Sequence, residues 1–333
     1  MADSSEVVVG IATYNNVDTI DRTMEMVLGQ TRPPDRLVFC DKSTDGTREQ
    51  IESYADSDRD TTIEVIGQSG DGVADAYDEI LNHIQGEYDV FATVQTDLIV
   101  DDEWLEDHLD VHAEHPEIDM VMGDYKGNEP TDREVEPDER PYYVGRNFSA
   151  KAGVLERIDG WDPNFLRGED WDMRIRLAGA GTRVYAKTEL GYEWQQGTDD
   201  PYVTLSKAKR KPTSVTFLSK YGPWYARFHP SHVISDGLSL ASVLGAVGTV
   251  GFLSVSPTLA ALSAIVFSLS VVVYWVAHLA LRGGVDEDVI VGPTRKQLLN
   301  GIAVLYAYNR VVRGDVDWNT SGFDPENIPR YKF

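Results

Sequence analysis

The sequence predicts an α/β fold: a Rossmann-like, mostly parallel sheet with helices on both faces, followed by a C-terminal transmembrane helical hairpin. Two observations predict it. Over the first hundred residues, short apolar runs rich in β-branched residues alternate with helix-length segments whose apolar positions recur three and four apart. Near the C-terminus, Gly237–Val255 holds 19 residues without a charge, and Thr258–Leu281 holds 24 in which His278 is the one ionisable residue.

The elements follow in order. Val7–Ala12 is continuously apolar and β-branched, as expected of a strand buried on both faces. Thr13-Tyr14-Asn15-Asn16 ends it, and Ile20, Met24, Val27 and Leu28 mark the inner face of a helix. Leu37–Cys40 is a second strand, and Asp41-Lys42-Ser43-Thr44-Asp45-Gly46-Thr47 leads into a second helix. Ile63–Ile66 is a third strand. Gly70-Asp71-Gly72 then opens a helix over Val73–Ile84, and Val90–Val94 is a fourth strand ending in Gln95-Thr96-Asp97. Ligands on such sheets bind outside the carboxyl ends of the strands, and Thr13–Asn15, Asp41, Asp75 and Asp97 fall near that edge. No Gly-x-Gly-x-x-Gly follows the first strand and there is no P-loop, which argues against the usual dinucleotide and ATPase sites.

Gly168-Glu169-Asp170-Trp171-Asp172-Met173-Arg174-Ile175-Arg176-Leu177 reads as the first turns of a later helix. Met173 and Leu177 share a face, and the acids occupy the first turn, where the helix dipole favours negative charge. Arg174 and Arg176 follow where they can pair with those acids. Asp170 is the candidate catalytic base; the structural alternative is a well-capped amphipathic helix.

Charge is unevenly spread. Residues Met1–Pro230 hold 23 basic and 47 acidic residues, a net of −24, whereas the last 103 residues are nearly balanced at −1. An acidic domain of this kind lacks the basic footprint of a nucleic-acid binder and suits a protein kept soluble in high salt. The single cysteine, Cys40, falls on a buried strand, so neither an internal disulfide nor a cysteine metal site is expected. Met-Ala-Asp-Ser-Ser-Glu has neither a basic n-region nor an apolar h-region, so no signal peptide is expected.

Each apolar run is long enough for a bilayer core of about 30 Å, and the short Ser256-Pro257 link makes them a tight hairpin with both flanks on one side. The alternative is a buried helical hairpin of a soluble protein. Lys207, Lys209, Arg210, Lys211, Lys220 and Arg227 precede the pair, and Arg282, Arg295, Lys296, Arg310 and Arg313 follow it, which places both flanks in the cytoplasm. Trp224, Tyr225, Tyr274 and Trp275 suit the headgroup region, and Gly245, Gly248 and Gly251 suit close helix packing. Leu298–Val312 reads as an interfacial or re-entrant helix, or as a third span. The expected organisation is a catalytic domain over 1–200, a basic juxtamembrane segment over 201–236, two membrane helices over 237–281 and a cytoplasmic tail over 282–333.

Four motifs, in order, carry a resemblance: Ile11-Ala12-Thr13-Tyr14-Asn15; Cys40-Asp41-Lys42-Ser43-Thr44-Asp45-Gly46-Thr47; Gly72-Val73-Ala74-Asp75-Ala76; and Glu169-Asp170 preceded by Gly160-Trp161-Asp162. Over about Glu6 to Trp194 the chain resembles a family 2 glycosyltransferase of the GT-A fold. The resemblance implies a nucleotide-sugar donor site made by Thr13, Tyr14, Asn15, Asp41, Asp75 and Gln95, with Asp41 accepting from the base. Asp75 either serves the ribose and phosphates or caps its helix. Asp97 is implied as ligand to a divalent cation, Mg²⁺ or Mn²⁺, held through the nucleotide diphosphate. Asp170 is implied as the base of an inverting transfer, with Glu169 in support.

Two departures stand out. The family's metal-binding Asp-x-Asp is Gln95-Thr96-Asp97 here, and its late histidine is absent from Gly191-Tyr192-Glu193-Trp194, where Glu193 is the available substitute. Trp161 and Trp171 are either sugar platforms or core. Lys151, Arg146 and Arg167 either meet an acidic sugar or lipid phosphate or pair at the surface. With its acidic composition and apolar hairpin, the chain looks like the haloarchaeal membrane-bound enzymes that build dolichol-phosphate-linked N-glycans. That implies transfer of a hexose or hexuronic acid to such a lipid-linked acceptor for S-layer N-glycosylation. The sequon-like Asn147-Phe148-Ser149 and Asn319-Thr320-Ser321 would stay unmodified in the cytoplasm. A polysaccharide synthase of the same fold and a non-catalytic nucleotide-binding scaffold are the rivals.

Overall fold

A buried parallel strand needs apolar side chains on both faces, and Val7–Thr13 (β1) supplies them: Val7, Val8, Val9 and Ile11 are all fully buried. The structure is a computed structural model and describes residues 5–55, 60–123, 126, 132–135, 145–187, 190–194, 213–253, 255–282, 291–314 and 316–328. Arg36–Asp41 (β2), Thr62–Gly67 (β3) and Val90–Val94 (β4) flank β1 in parallel, in the order β3-β2-β1-β4. In this register Thr13 lies beside Asp41, and Asp41 beside Gly67, so the strand ends form one edge.

The rest of the sheet is mixed. Asn147–Lys151 (β8) runs antiparallel to β4, and Met120–Met122 (β6), Val184–Ala186 (β9) and Arg133–Val135 (β7) follow it outward. Leu98–Ile99 (β5) leaves that sheet just after β4 and pairs with Glu193–Trp194 (β10) as a separate ribbon.

Helices cover both faces. Ile20–Leu28 (α1), Thr47–Ala55 (α2) and Trp104–Glu114 (α4) contribute Met24, Val27, Ile51, Trp104 and Leu105 to the cluster around Val7, Val9, Ile11 and Phe39. On the other face, Val73–Ile84 (α3) lies over Gly10, where a Cβ would stand 2.6 Å from the Phe91 ring and 3.1 Å from Ile80. Glycine at position 10 is therefore what lets Phe91 and α3 close on β1. Cys40 is buried, and burial beside the Glu79 carboxylate raises its thiol pKa far above the ordinary range, as suits an inert core residue.

The chain divides into two compact units: Met1–Asp199 with Trp318–Phe333, and Asp200–Asp317. The second unit is thus an insertion into the first in chain order. Its described elements are Ser214–Tyr221 (α7), Pro223–Phe228 (α8), Pro230–Phe252 (α9), Pro257–Arg282 (α10) and Val291–Arg313 (α11). Among the described residues α9 is long and apolar enough to cross a membrane, with a mean hydropathy of 1.6 over its best window, and α10 is a second apolar helix. Gly245 and Gly248 meet Ser263 and Phe267 of α10 as expected, but Gly251 faces open space and takes no part in packing.

Leu298–Val312 falls within α11, which lies against α9 through a polar seam. Gln297 donates to Ser242 Oγ at 2.6 Å, Asn300 donates to Asp236 Oδ1 at 2.6 Å, and Gly301 lies against the Ser239 carbonyl. Lys207, Lys209, Arg210 and Lys211 lie outside the described residues, as do the side chains of Tyr274, Trp275, His278, Arg282, Arg295, Lys296 and Arg313.

Inside the first unit, His108 and His112 on α4 both bond Ser149 Oγ, at 2.8 and 3.0 Å. Burial lowers their pKa values to about 3 and about 4. Both rings are neutral in the fold and protonate near 6.5 when the chain unfolds. The histidines therefore bind more protons in the unfolded chain below that pH, and their contribution to stability is lost as pH drops from about 6.5 toward 4. Urea unfolding midpoints at pH 7.0, 6.0 and 5.0 in constant high salt should decline more in the parent than in a variant carrying His108→Gln and His112→Gln. Equal slopes in the two proteins would remove the neutral-histidine assignment.

Candidate active site

The edge formed by the ends of β1 and β2 is tied together by short polar side chains. The Asp41 carboxylate is 5% exposed and accepts from Thr13 Oγ1 at 2.7 Å, Ser43 Oγ at 2.6 Å and the Ser43 amide at 3.2 Å. Asn15 takes a left-handed backbone, φ 55°. Its amide donates to Ser43 Oγ at 2.8 Å, and its side-chain oxygen accepts from the Thr44 amide at 2.9 Å. Tyr14 is left exposed, 62%, on the crest of the same loop. Asp75, in the first turn of α3, accepts from Gln68 Nε2 and the Gly70 amide, both at 3.0 Å, so it braces the loop in front of its own helix.

Next along the edge, Asp97 follows β4. Its Oδ1 is buried and has no hydrogen-bond partner, and burial raises its pKa while the Arg146 guanidinium acts in the opposite sense. Gln95 is committed differently: its side-chain amide donates to the Gly145 carbonyl at 3.2 Å and its backbone amide to the Arg146 carbonyl at 3.0 Å. The β5–β10 ribbon brings the late Gly191–Trp194 stretch alongside, with Glu193 opposite Ile99, two residues beyond Asp97.

The third side of the edge is the start of Glu169–Gly179 (α6). Its N-cap is Gly168 in the left-handed region, φ 84°, with no side-chain cap, so the well-capped helix given as the structural alternative lacks its cap. Asp170 Oδ1 accepts from the adjacent Trp171 amide at 2.8 Å. Glu169 has its carboxyl pKa raised to about 7, first by burial and then by the negative charge of Asp170, against the pull of Arg167. Gly72 joins this side to α3. It sits at φ 94°, and a Cβ there would lie 3.2 Å from Leu166, in the loop that leads to α6.

Tyr77 carries the clearest sign of convergence, and the sequence offered no signal for it beyond an apolar helix position. Its hydroxyl bonds Thr93 Oγ1 at 2.8 Å, and its pKa is raised to about 12, by burial first and then by the charges of both Glu169 and Asp97. One phenol thus senses a carboxylate from α6 and one from the end of β4. Trp161 stacks on Tyr77 with centroids 4.8 Å apart and is 1% exposed, so it is core and not a sugar platform; Trp171 is half-buried.

The base of α6 is held by Arg176. It is fully buried, pairs with Asp172 at 2.9 Å, and donates through Nη1 to the Ile158 and Gly160 carbonyls at 2.6 and 2.8 Å. The Arg176–Asp172 pair is one of the two expected arginine–acid pairings.

Among the described residues no group of three or more His, Cys, Asp or Glu side chains stands ready to hold a metal. The donor set still fits a hard cation in part, since Asp97 Oδ1 is a buried carboxylate oxygen with no other use. The Gln95 amide supplies at most a neutral oxygen.

Residues 8–162 match the family model described as glycosyl transferase family 2. That match spans somewhat under half of the chain, and over it the chain is similar to this family. A curated relative from Haloferax volcanii, named glucosyl-dolichyl phosphate glucuronosyltransferase, is 25% identical over 207 residues, covering 55% of this chain and 64% of that protein. This chain therefore spans less than two thirds of that relative's length. Among solved structures, a mannosyltransferase from Pyrobaculum calidifontis, in complex with GDP-Man and Mn²⁺, superposes with a TM-score of 0.50 at 16% identity, over 93% of this chain and 87% of that one. TarS 1-349 from S. aureus with UDP-GlcNAc also gives 0.50, at 17% identity, over 98% and 99%. At such identities the likeness is one of fold, and it is the GT-A fold.

The Glu169 environment predicts a second pH effect, opposite in sign to that of the histidines. A carboxyl whose pKa is raised in the fold stabilises least once it ionises, so its contribution is lost as pH rises from about 4.5 through about 7. Glu169→Gln should gain unfolding stability relative to the parent at pH 8 but not at pH 5, read from paired urea curves. Equal differences at both pH values would contradict the placement of Glu169.

Proposed function

We propose that this protein is an inverting glycosyltransferase that moves a hexose or hexuronic acid from a nucleotide sugar to a dolichol-phosphate-linked glycan at the cytoplasmic face of the membrane. The observation that carries the reading is the unpartnered buried carboxylate oxygen of Asp97 just after β4, together with the acidic start of α6, whose leading loop packs against Gly72 at the start of α3. The family 2 match supplies the reaction class. The name of the haloarchaeal relative supports the lipid-linked acceptor and a hexuronic acid donor, and the −24 charge of residues 1–230 supports a high-salt source; an S-layer glycoprotein as final recipient rests on family analogy.

In this reading Thr13, Tyr14, Asn15 and Asp41 form the base and ribose end of the donor site. The Thr13–Asp41–Ser43 bonds hold the Asp41 carboxylate still, ready to accept from a ring N–H. Asp75 fixes the loop under the phosphates, with Gln95 beside them. Asp97 would hold Mg²⁺ or Mn²⁺, and a divalent cation there neutralises charge on the leaving diphosphate.

The acceptor hydroxyl oxygen bonds to the anomeric carbon as the bond from that carbon to the diphosphate oxygen breaks. The hydroxyl proton passes to the Asp170 carboxylate, and nucleoside diphosphate leaves. One displacement inverts the anomeric centre. Glu169, half-buried and slow to ionise, orients the site behind Asp170. The apolar α9 and α10 hold the catalytic unit at the bilayer where a dolichol-linked acceptor lies, with both flanks of the pair on the cytoplasmic side.

A second reading, a non-catalytic nucleotide-binding scaffold, is favoured by one observation: the side chain replacing the first metal-binding Asp is a neutral amide held by its Nε2 on the Gly145 carbonyl. Membranes in high salt, given labelled UDP- and GDP-linked hexoses and UDP-glucuronic acid with dolichol-linked acceptors, separate the two. The expected result is transfer that EDTA abolishes and Mn²⁺ or Mg²⁺ restores. Asp170→Asn should lower kcat by roughly 10² or more while leaving donor KM nearly unchanged. Nucleotide binding without transfer to any acceptor would support the scaffold.

A further inference from the structure

The residues after the membrane-type helices return to the first unit, and they return to one place. The Asn319 amide donates to Asp162 Oδ2 at 3.1 Å, and its side-chain Nδ2 donates to the Asp159 and Ile158 carbonyls at 2.7 and 3.3 Å. Trp318 packs on Phe165 with ring centroids 5.6 Å apart. Backbone meets backbone further on: a Cβ at Gly179, the last residue of α6, would lie 2.4 Å from the Gly322 carbonyl, and one at Gly322 would lie 2.6 Å from Ile158. Gly322 also holds φ 79°, a conformation few other residues adopt cheaply. Asn327 donates to the Gly179 carbonyl at 3.3 Å, and Ile328 is buried.

These contacts bear on the segment that carries the acidic start of α6. The carbonyls of Ile158, Asp159 and Gly160 are all taken, by Arg176 from inside and Asn319 from the tail. Asp162 is 1% exposed and is shared between the Asn164 amide, at 2.9 Å, and the Asn319 amide. Phe165 holds Trp318 on one side, while its carbonyl lies 3.4 Å from the Cβ position at Gly72 on the other. Asp170 is five residues downstream.

We infer that residues 318–328 are a strap that positions the Asp162–Asp170 segment for transfer, with Asn319 and Trp318 as positioning residues that touch no substrate. The inference rests on the reading of Asp170 as the base. The donor clamp at Thr13, Asp41 and Ser43 makes its bonds without the tail, so loosening the strap misplaces the base and spares donor binding. Loss of position by an ångström costs up to about 10² in rate.

The experiment compares full-length parent, Asn319→Ala and Trp318→Phe in high salt. The parent's own donor is used for kinetics, UDP and GDP for binding, and amide hydrogen exchange for local opening. The expected outcome is a kcat lowered roughly tenfold or more in Asn319→Ala, with donor KM and nucleotide affinity within about twofold. Trp318→Phe, which keeps a ring on Phe165, should lose less. Exchange should quicken across 158–170 and stay unchanged at 7–13 and 36–43. If the parent transfers no sugar but exchange quickens as described, the strap stands and the catalytic reading fails. Unchanged exchange across 158–170, or kcat equal to the parent's, overturns the strap. Quickened exchange throughout the unit in both variants would make the tail a general stabiliser and overturn it too.

Discussion

The buried guanidinium of Arg176 is the constraint on which the rest of the site depends. A charge with no exposed surface is tolerated only when paired and hydrogen-bonded, and Arg176 has Asp172 one turn earlier on its own helix and two carbonyls from the Ile158–Gly160 turn. Removing one partner from such an arrangement typically costs about 3–5 kcal/mol. Its consequence is geometric. It locks α6 to the Gly160-Trp161-Asp162 turn, Trp161 stacks on Tyr77, and the Tyr77 hydroxyl bonds Thr93 on β4. Acidic residues from distant parts of the chain share an edge because one arginine fixes the helix that carries two of them.

The same edge shows how one fold sets carboxylates to different uses. Asp41 is buried and takes three hydrogen bonds. Asp97 is half-buried, with its buried Oδ1 unpartnered, and its pKa rises. Glu169 is raised to about 7 by burial and by Asp170 beside it. A hydrogen-bonded carboxylate, a carboxylate with an unpartnered oxygen, and a pair whose charges repel are three different environments.

The second unit has its own logic. Apolar helices packing only through apolar surface would slide, since any register buries similar area. The α9–α11 seam is pinned instead by Asp236 with Asn300, Ser242 with Gln297, and a glycine at position 301 that admits the Ser239 backbone. Such buried polar pairs select a register more than they add stability.

Much of this was legible from the residues alone, for physical reasons that differ by element. β1, β4 and α3 were readable almost to their ends, because a doubly buried strand must be continuously apolar and a sheet-covering helix must repeat its apolar face. Thr13, Asp41 and Asp97 were readable as edge residues because the carboxyl ends of parallel strands are where a ligand meets backbone dipoles and loop side chains. What the sequence by itself determined is therefore the layer order, the family motifs and the separation of an acidic domain from apolar helices. Only the tertiary structure decided that Asp97 has an unpartnered oxygen, that Gln95 donates to Gly145, that Trp161 is core, that Tyr77 bonds Thr93, and that Asn319 caps a turn some 160 residues earlier in the chain. Periodicity and spacing report local geometry, whereas these facts arise from contacts between segments far apart in the chain, and no local pattern encodes which of the many possible partners a buried polar group will find.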